Sequence, residues 1–232
     1  MAAESAGLSF MNKEQQKAFW DTIKVLHELD ILPYIMLIGS WAEFLYPYLF
    51  DSEFEPNIRT RDVDFFYRNL KLPDKPVRFV EAMKQNGFLY QVDSISEVAR
   101  FFKEDLLEIE FLTKVIGSGS KSVYLIKGLG IKAEGLRIIN ILDDYATEVT
   151  LNGYKITVPL PAAYVVQKLL ANPTRVPASK KAKDIASVLN LLDHIKASEK
   201  HRQDLKHVVS TLTPKQNKVL DEVIKANHID LE

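Results

Sequence analysis

Two aspartates, Asp62 and Asp64, stand two residues apart inside an otherwise apolar run that continues through Phe65, Phe66 and Tyr67. On a strand, alternate side chains leave from the same face. Asp62, Asp64 and Phe66 would then share one side, with Val63, Phe65 and Tyr67 on the other. Two carboxylates in that arrangement are close enough to share a cation, and burying them with no positive partner would be costly. The alternative is an edge strand with a solvated polar face, or pairing with Arg59 and Arg61. Leu107-Glu108-Ile109-Glu110-Phe111 repeats the pattern, with acids on one face and apolar residues opposite. If the two strands are neighbours, up to four carboxylates come together, an oxygen-rich set suited to Mg²⁺ or Mn²⁺. A third feature is Ile38-Gly39-Ser40 between an apolar run and a helical one. Glycine allows close approach of backbone to a ligand, and a following helix start can offer N–H groups to a phosphate. Ser40 can equally serve as a helix cap, with Glu43 in the capping-box position.

The surrounding elements must position these groups. Asn12 and Gln15 have capping-box spacing, and Phe19, Ile23 and Leu26 recur at helical intervals, which predicts a helix over 13–29. A buried strand is expected at 34–38, a short helix at 41–45 kinked or ended by Pro47, and a polar loop at 51–59. The alternating stretch 62–67 is a strand. Pro76 suits the first position of a helix that ends near Gly87. Strands are expected at 88–92, 98–103 and 106–113, the last two joined by a tight acidic turn. Gly117-Ser118-Gly119-Ser120 reads as a flexible connection. Asn152-Gly153 between 147–151 and 154–158 is a hairpin signal. From Pro161 onward the period is helical, over 161–171, 180–196, 199–211 and 214–227. The expected fold class is therefore α/β (α+β), a mixed sheet with flanking helices followed by a C-terminal helical region. The expected division is 1–158 and 159–232.

Gly39-Ser40, Asp62-Val63-Asp64 and the later acid Glu110 follow the order used by the nucleotidyltransferase superfamily, the fold of the polymerase β catalytic core, and the chain resembles that superfamily. The fuller stretches Gly39-Ser40-Trp41-Ala42, Thr60-Arg61-Asp62-Val63-Asp64-Phe65 and Glu110-Phe111-Leu112-Thr113 resemble bacterial nucleotidyltransferase-like proteins, abortive-infection toxins among them. The resemblance implies transfer of a nucleotidyl group from an NTP to an acceptor hydroxyl, with release of pyrophosphate. It implies that Asp62, Asp64 and Glu110 bind two Mg²⁺ (or Mn²⁺) ions and that Gly39 and Ser40 hold the outgoing phosphates. In the toxin-like proteins a lysine on a later helix and a Lys-Asp pair line the nucleotide pocket. Lys168 and Lys183-Asp184 stand at comparable positions here and would neutralise phosphate charge. Spacing cannot choose between Glu108 and Glu110 as the third acid; the Phe-Leu-Thr after Glu110 favours it. The acceptor is open between tRNA, a protein and a small molecule. A nucleotide-sensing or partner-binding module of the same fold that has lost turnover is the alternative.

Composition narrows the rest. The 232 residues contain 47% hydrophobic and 26% charged side chains, ordinary globular usage that excludes a disordered or collagen-like chain. With no cysteine, disulfide frameworks, thiolate zinc sites and cysteine nucleophiles are excluded. The opening residues lack the pattern of a signal peptide, and no apolar run reaches the roughly 18 residues of a membrane span. A cytoplasmic protein with no membrane partner is the expectation. The net charge of −1 argues against constitutive nucleic-acid binding. That total divides unevenly: residues 1–159 carry a net −5 and residues 160–232 a net +4. Other motifs lack the spacing that their chemistry needs. Gly117 to Ser122 ends like a phosphate-binding loop without its first glycine, His27-Glu28 has no second histidine, and the run Lys180-Lys181-Ala182-Lys183 is a solvated helix start or an anion clamp.

Overall fold

The computed structural model describes residues 13–50, 53–56, 60–117 and 122–231. The expectations for the first ten residues, for the Asn12 cap, for Arg59 and for residues 118–121 fall outside these. The chain divides into two compact units. The first takes in Met1–Leu45, Pro56–Arg137 and Glu148–Val158, and the second Tyr46–Glu55, Ile138–Thr147 and Pro159–Glu232.

The first unit begins with helix α1 (Lys13–Glu28), followed by strand β1 (Ile35–Ile38) and the short helix α2 (Ser40–Glu43). Strand β2 (Asp62–Tyr67) and helix α3 (Phe79–Gln85) come next, then strands β3 (Leu89–Val92), β4 (Ala99–Lys103), β5 (Leu107–Lys114), β6 (Val123–Ile126) and β7 (Ile131–Leu136). These form one mixed sheet among the described residues, in the order β1-β2-β5-β4-β3; β7 adds to the last residues of β5, and β6 pairs with β7. β2 and β5 run parallel, whereas β1 is antiparallel to β2 and β4 is antiparallel to β5.

One face of this sheet is an aromatic layer. Phe65 and Phe111 stack at 5.8 Å between ring centroids, and Phe79 of α3 meets Phe111 edge-on at 5.4 Å and Phe101 at 5.1 Å. All four rings are fully buried. Edge contacts of this kind add to the area that each ring removes from water. On α1, Phe19 stacks on Trp41 at 4.7 Å.

Several expectations are corrected. The helix placed from Pro76 begins at Phe79. The Val77 N–H donates instead to the Gly128 carbonyl at 2.8 Å, which holds the segment before α3 against the β6–β7 turn. Gln15 also reaches beyond α1: its side-chain amide donates to the carbonyls of Thr60 (3.3 Å) and Leu106 (3.1 Å), just ahead of β2 and β5. Strands β6 and β7 and the helix α4 (Asn140–Asp144) were not anticipated. The Asn152-Gly153 signal does yield a hairpin, between β8 (Ala146–Leu151) and β9 (Tyr154–Pro159), with both turn residues at positive φ (52° and 80°) as such a turn requires.

The second unit contains α4 and four longer helices, α5 (Pro161–Ala171), α6 (Ala178–Ala197), α7 (Glu199–Ser210) and α8 (Pro214–Asn227). Pro161 opens α5 at the position where a missing N–H costs nothing. Thr213 caps α8 through a complete capping box with Gln216. Residues 46–55 are tied to these helices. Tyr46 meets Tyr164 edge-on at 5.7 Å, His201 Nε2 lies 3.1 Å from the Leu49 carbonyl, and Asn190 donates to the Glu55 carbonyl at 3.2 Å. No helix among the described residues is long and apolar enough to cross a membrane.

The aromatic layer should dominate the stability of the first unit. Phe111→Ala is expected to lower its unfolding free energy by about 3–5 kcal/mol, the scale for deleting a buried phenyl ring. Urea titration followed by circular dichroism checks this; a loss below about 1 kcal/mol would mean that the layer is not tightly packed.

Candidate active site

The face of the sheet opposite the aromatic layer carries the acids. In the parallel β2–β5 pair Asp62 stands beside Glu108 and Asp64 beside Glu110. Neighbouring strands lie about 4.8 Å apart, so the pairing turns two separate i, i+2 motifs into a block of four carboxylates. Leu112 and Phe66 follow in the same rows and begin the apolar part of that face.

The positive partner of this block is a residue not singled out in the sequence. Arg100 of β4 is registered against Glu110. Its Nε donates to Glu110 Oε1 at 2.7 Å, and its Nη1 lies 3.2 Å from Glu108 Oε1. Arg61, one of the two arginines suggested as partners of the aspartates, points elsewhere and donates to the Asp105 carbonyl at 3.0 Å. The signal for Arg100 was present. A tight turn between β4 and β5 fixes the antiparallel register, and counting back from Lys103 opposite Leu107 puts Arg100 opposite Glu110.

Burial, helped by neighbouring negative charge, shows in one ionisation. The Glu110 carboxyl is pushed up to about 7, first by burial and then by the negative charges of Asp64, Glu108 and Asp62; Arg100 opposes this without cancelling it. A carboxyl poised near neutrality is suited to take up a proton in catalysis.

Gly39 completes the arrangement. β1 pairs antiparallel with β2 so that Ile38 lies opposite Asp64, and Gly39 follows directly. At φ 65° and ψ −161° the Gly39 backbone occupies a region essentially reserved for glycine. A Cβ at this position would fall 2.5 Å from Asp64 Oδ2. The missing side chain is therefore what leaves room for that carboxylate. Ser40 starts α2, and no side-chain hydrogen bond caps this helix.

The candidates on the helical unit are differently placed. Lys168 on α5 is buried, and its Nζ donates to Asp184 Oδ1 of α6 at 2.8 Å. Arg175 Nε donates to the other oxygen of Asp184 at 3.0 Å, and the Lys168 ammonium lies 4.9 Å from the centre of the Tyr164 ring. Lys183 is exposed.

The acids fit a hard divalent cation in donor type, and the missing Gly39 side chain lets the Asp64 carboxylate lie close to the backbone at the start of α2. Among the described residues, however, no three histidine, aspartate or glutamate side chains converge tightly enough to form a ready cage. The acids share one face, and Glu110 and Glu108 are turned toward Arg100.

Comparison with known proteins places residues 20–213 in a match to a family described as nucleotidyltransferase. No curated protein sequence matches significantly. Among solved structures, an antigenic nucleotidyltransferase-like protein from Paracoccidioides brasiliensis is 14% identical, covering 91% of this chain and 94% of that one, with a TM-score of 0.47. The lincosamide antibiotic adenylyltransferase LnuA is 10% identical over 78% of this chain and 98% of its own, with a TM-score of 0.43. ANT(2″)-Ia in complex with adenylyl-2″-tobramycin is 10% identical over 94% and 100%, with a TM-score of 0.46.

Two outcomes follow from the geometry. Gly39→Ala should cost about 1–3 kcal/mol of stability, because alanine is strained at this φ, ψ and its methyl collides with Asp64. Urea unfolding measures the loss, and an unchanged midpoint would show that the loop adapts. The second concerns pH. A carboxyl whose pKa rises on folding from 4.5 to about 7 contributes stability below its unfolded-state value and loses that contribution as pH rises through about 7. In metal-free buffer the melting temperature of the wild type should therefore fall more steeply between about pH 5 and pH 8 than that of Glu110→Gln. Parallel curves would remove the special status of Glu110.

Proposed function

The chain belongs to the nucleotidyltransferase family and is a transferase with a nucleotidyltransferase-like fold, and on that premise we propose that it moves a nucleotidyl group from an NTP to an acceptor hydroxyl in a reaction that depends on a divalent metal. The observation that carries the reading is the register of β2 on β5, which sets Asp62 and Asp64 beside Glu108 and Glu110, together with the glycine-only backbone of Gly39 against Asp64.

In this reading Asp62 and Asp64 hold the divalent ions, Mg²⁺ or Mn²⁺, and Glu110 is the third acid. Bound metal would supply neutralisation of the triphosphate and activation of the attacking oxygen. The acceptor oxygen attacks the α-phosphorus, the bond to the bridging oxygen breaks, and pyrophosphate leaves with that electron pair. Glu110 orients the acceptor hydroxyl and accepts its proton. Gly39 and Ser40 hold the outgoing phosphates through backbone N–H groups. Of the two lysines proposed to neutralise phosphate charge, Lys168 has its ammonium held by Asp184 and Lys183 is exposed.

Glu110 is chosen over Glu108 because it stands in register with Asp64, next to Gly39, whereas Glu108 stands beside the exposed Asp62 nearer the start of the strand. Incubation with each labelled NTP, Mg²⁺ and a cell extract tests transfer directly. Asp62→Asn and Asp64→Asn should each lower labelling on the order of 10²–10³-fold, the scale for losing one preorganised electrostatic contact to the transition state. Without metal, both variants should melt at or above the wild-type temperature, because each removes a like charge. Near-wild-type labelling by either variant would overturn the two-aspartate assignment.

A further inference from the structure

The carboxylate face already has a cation of its own. Arg100 reaches Glu110 and Glu108 from the neighbouring strand with two nitrogens of one guanidinium, at 2.7 Å and 3.2 Å. A planar fork of donors suits two carboxylate oxygens better than a point charge would. The Arg100 side chain is 45% exposed, against 20% for Glu110 and 25% for Glu108. Its guanidinium can therefore swing toward water on a long apolar stem while the acids stay where the strands put them.

We propose that Arg100 is a positioning residue that stands in for the divalent cation at Glu110, so that Arg100 and the metal compete for the same carboxylate and Arg100 sets how tightly metal is held. This rests on the metal-dependent reading above. In the metal-free protein Arg100 engages both glutamates, and Glu110 Oε1 is taken by its Nε. For Glu110 to join the aspartates, its contact with Arg100 must break. The released guanidinium would remain at the rim of the same face as a fixed positive charge. Competition of this kind predicts a sign opposite to that of a purely structural ion pair: loss of the arginine should weaken the metal-free fold and strengthen metal binding.

The test uses Mn²⁺ as the probe, with free ion measured by electron paramagnetic resonance, on the wild type and on Arg100→Gln, Arg100→Lys, Glu110→Gln and the double variant Arg100→Gln/Glu110→Gln. Thermal unfolding without metal checks that each is folded. Arg100→Gln should bind Mn²⁺ roughly tenfold more tightly than the wild type, within the range usual for coupled sites. Arg100→Lys keeps the charge but not the fork and should fall between them. Placing Glu110→Gln beside Arg100→Gln should abolish the gain, because the carboxylate in contention is gone. Wild-type-like or weaker Mn²⁺ binding by a folded Arg100→Gln, while the wild type itself binds, would overturn the competition and leave the metal-dependent reading standing. Equal gains with and without Glu110 would overturn it too, by showing a general charge effect. Failure of both wild type and Arg100→Gln to bind Mn²⁺ at millimolar concentration would remove the metal-dependent reading and this inference together.

Discussion

Two strands that each carry acids at alternate positions, laid side by side in parallel, concentrate negative charge on one face of a sheet whose other face is a packed aromatic layer. Such a surface opposes its own folding unless positive charge meets it, because partly buried carboxylates lose hydration and repel one another. Here Arg100 meets Glu110 and Glu108 from β4, while the opposite face is secured by Phe65, Phe111, Phe101 and Phe79. The acids are thus held by elements whose stability derives from elsewhere. Strain kept at a functional face and offset by a conventional core is a common division of labour in enzymes.

The same economy of charge governs the helical unit. Asp184 is buried between Lys168 and Arg175, each donating to a different carboxylate oxygen. A buried carboxylate with both oxygens engaged is tolerable; with one partner removed it would be costly. Lys168, read from the sequence as a candidate to neutralise phosphate charge, donates to Asp184. Lys183, one residue earlier in α6, projects to solvent.

Much of the architecture was legible because local signals agreed with one another. Strict alternation marked β2 at Asp62–Tyr67, and Asn152-Gly153 marked the β8–β9 hairpin. The helices after Pro161 were evident from their period. The misses have physical causes. Pro76 is compatible with a helix start, but the Val77 amide was taken by the Gly128 carbonyl, a contact fifty-one residues away in the chain. β6 and β7 each alternate buried and more exposed positions, yet they are short and follow a glycine-rich stretch that reads as loop. Gln15, read only for its capping spacing, also joins the approaches to β2 and β5, contacts with residues far away in the chain.

By itself the sequence determined which residues could do chemistry and which way they would face on their own strands, since side-chain alternation is a property of the extended backbone. It also determined the change from mixed α/β to helical order near residue 160. Only the tertiary structure decided that β2 and β5 are parallel neighbours in a register that sets Asp64 beside Glu110, because strand pairing between distant segments depends on the packing of the whole sheet. Only it decided that Gly39 comes against Asp64 across a connection of more than twenty residues, through the antiparallel pairing of β1 with β2. The arginine that faces the acids stood midway between these kinds of knowledge. Its position opposite Glu110 followed from a hairpin register that could be counted, but its importance depended on Asp62 and Asp64 arriving from the other side of β5, and long-range pairing alone brings them there.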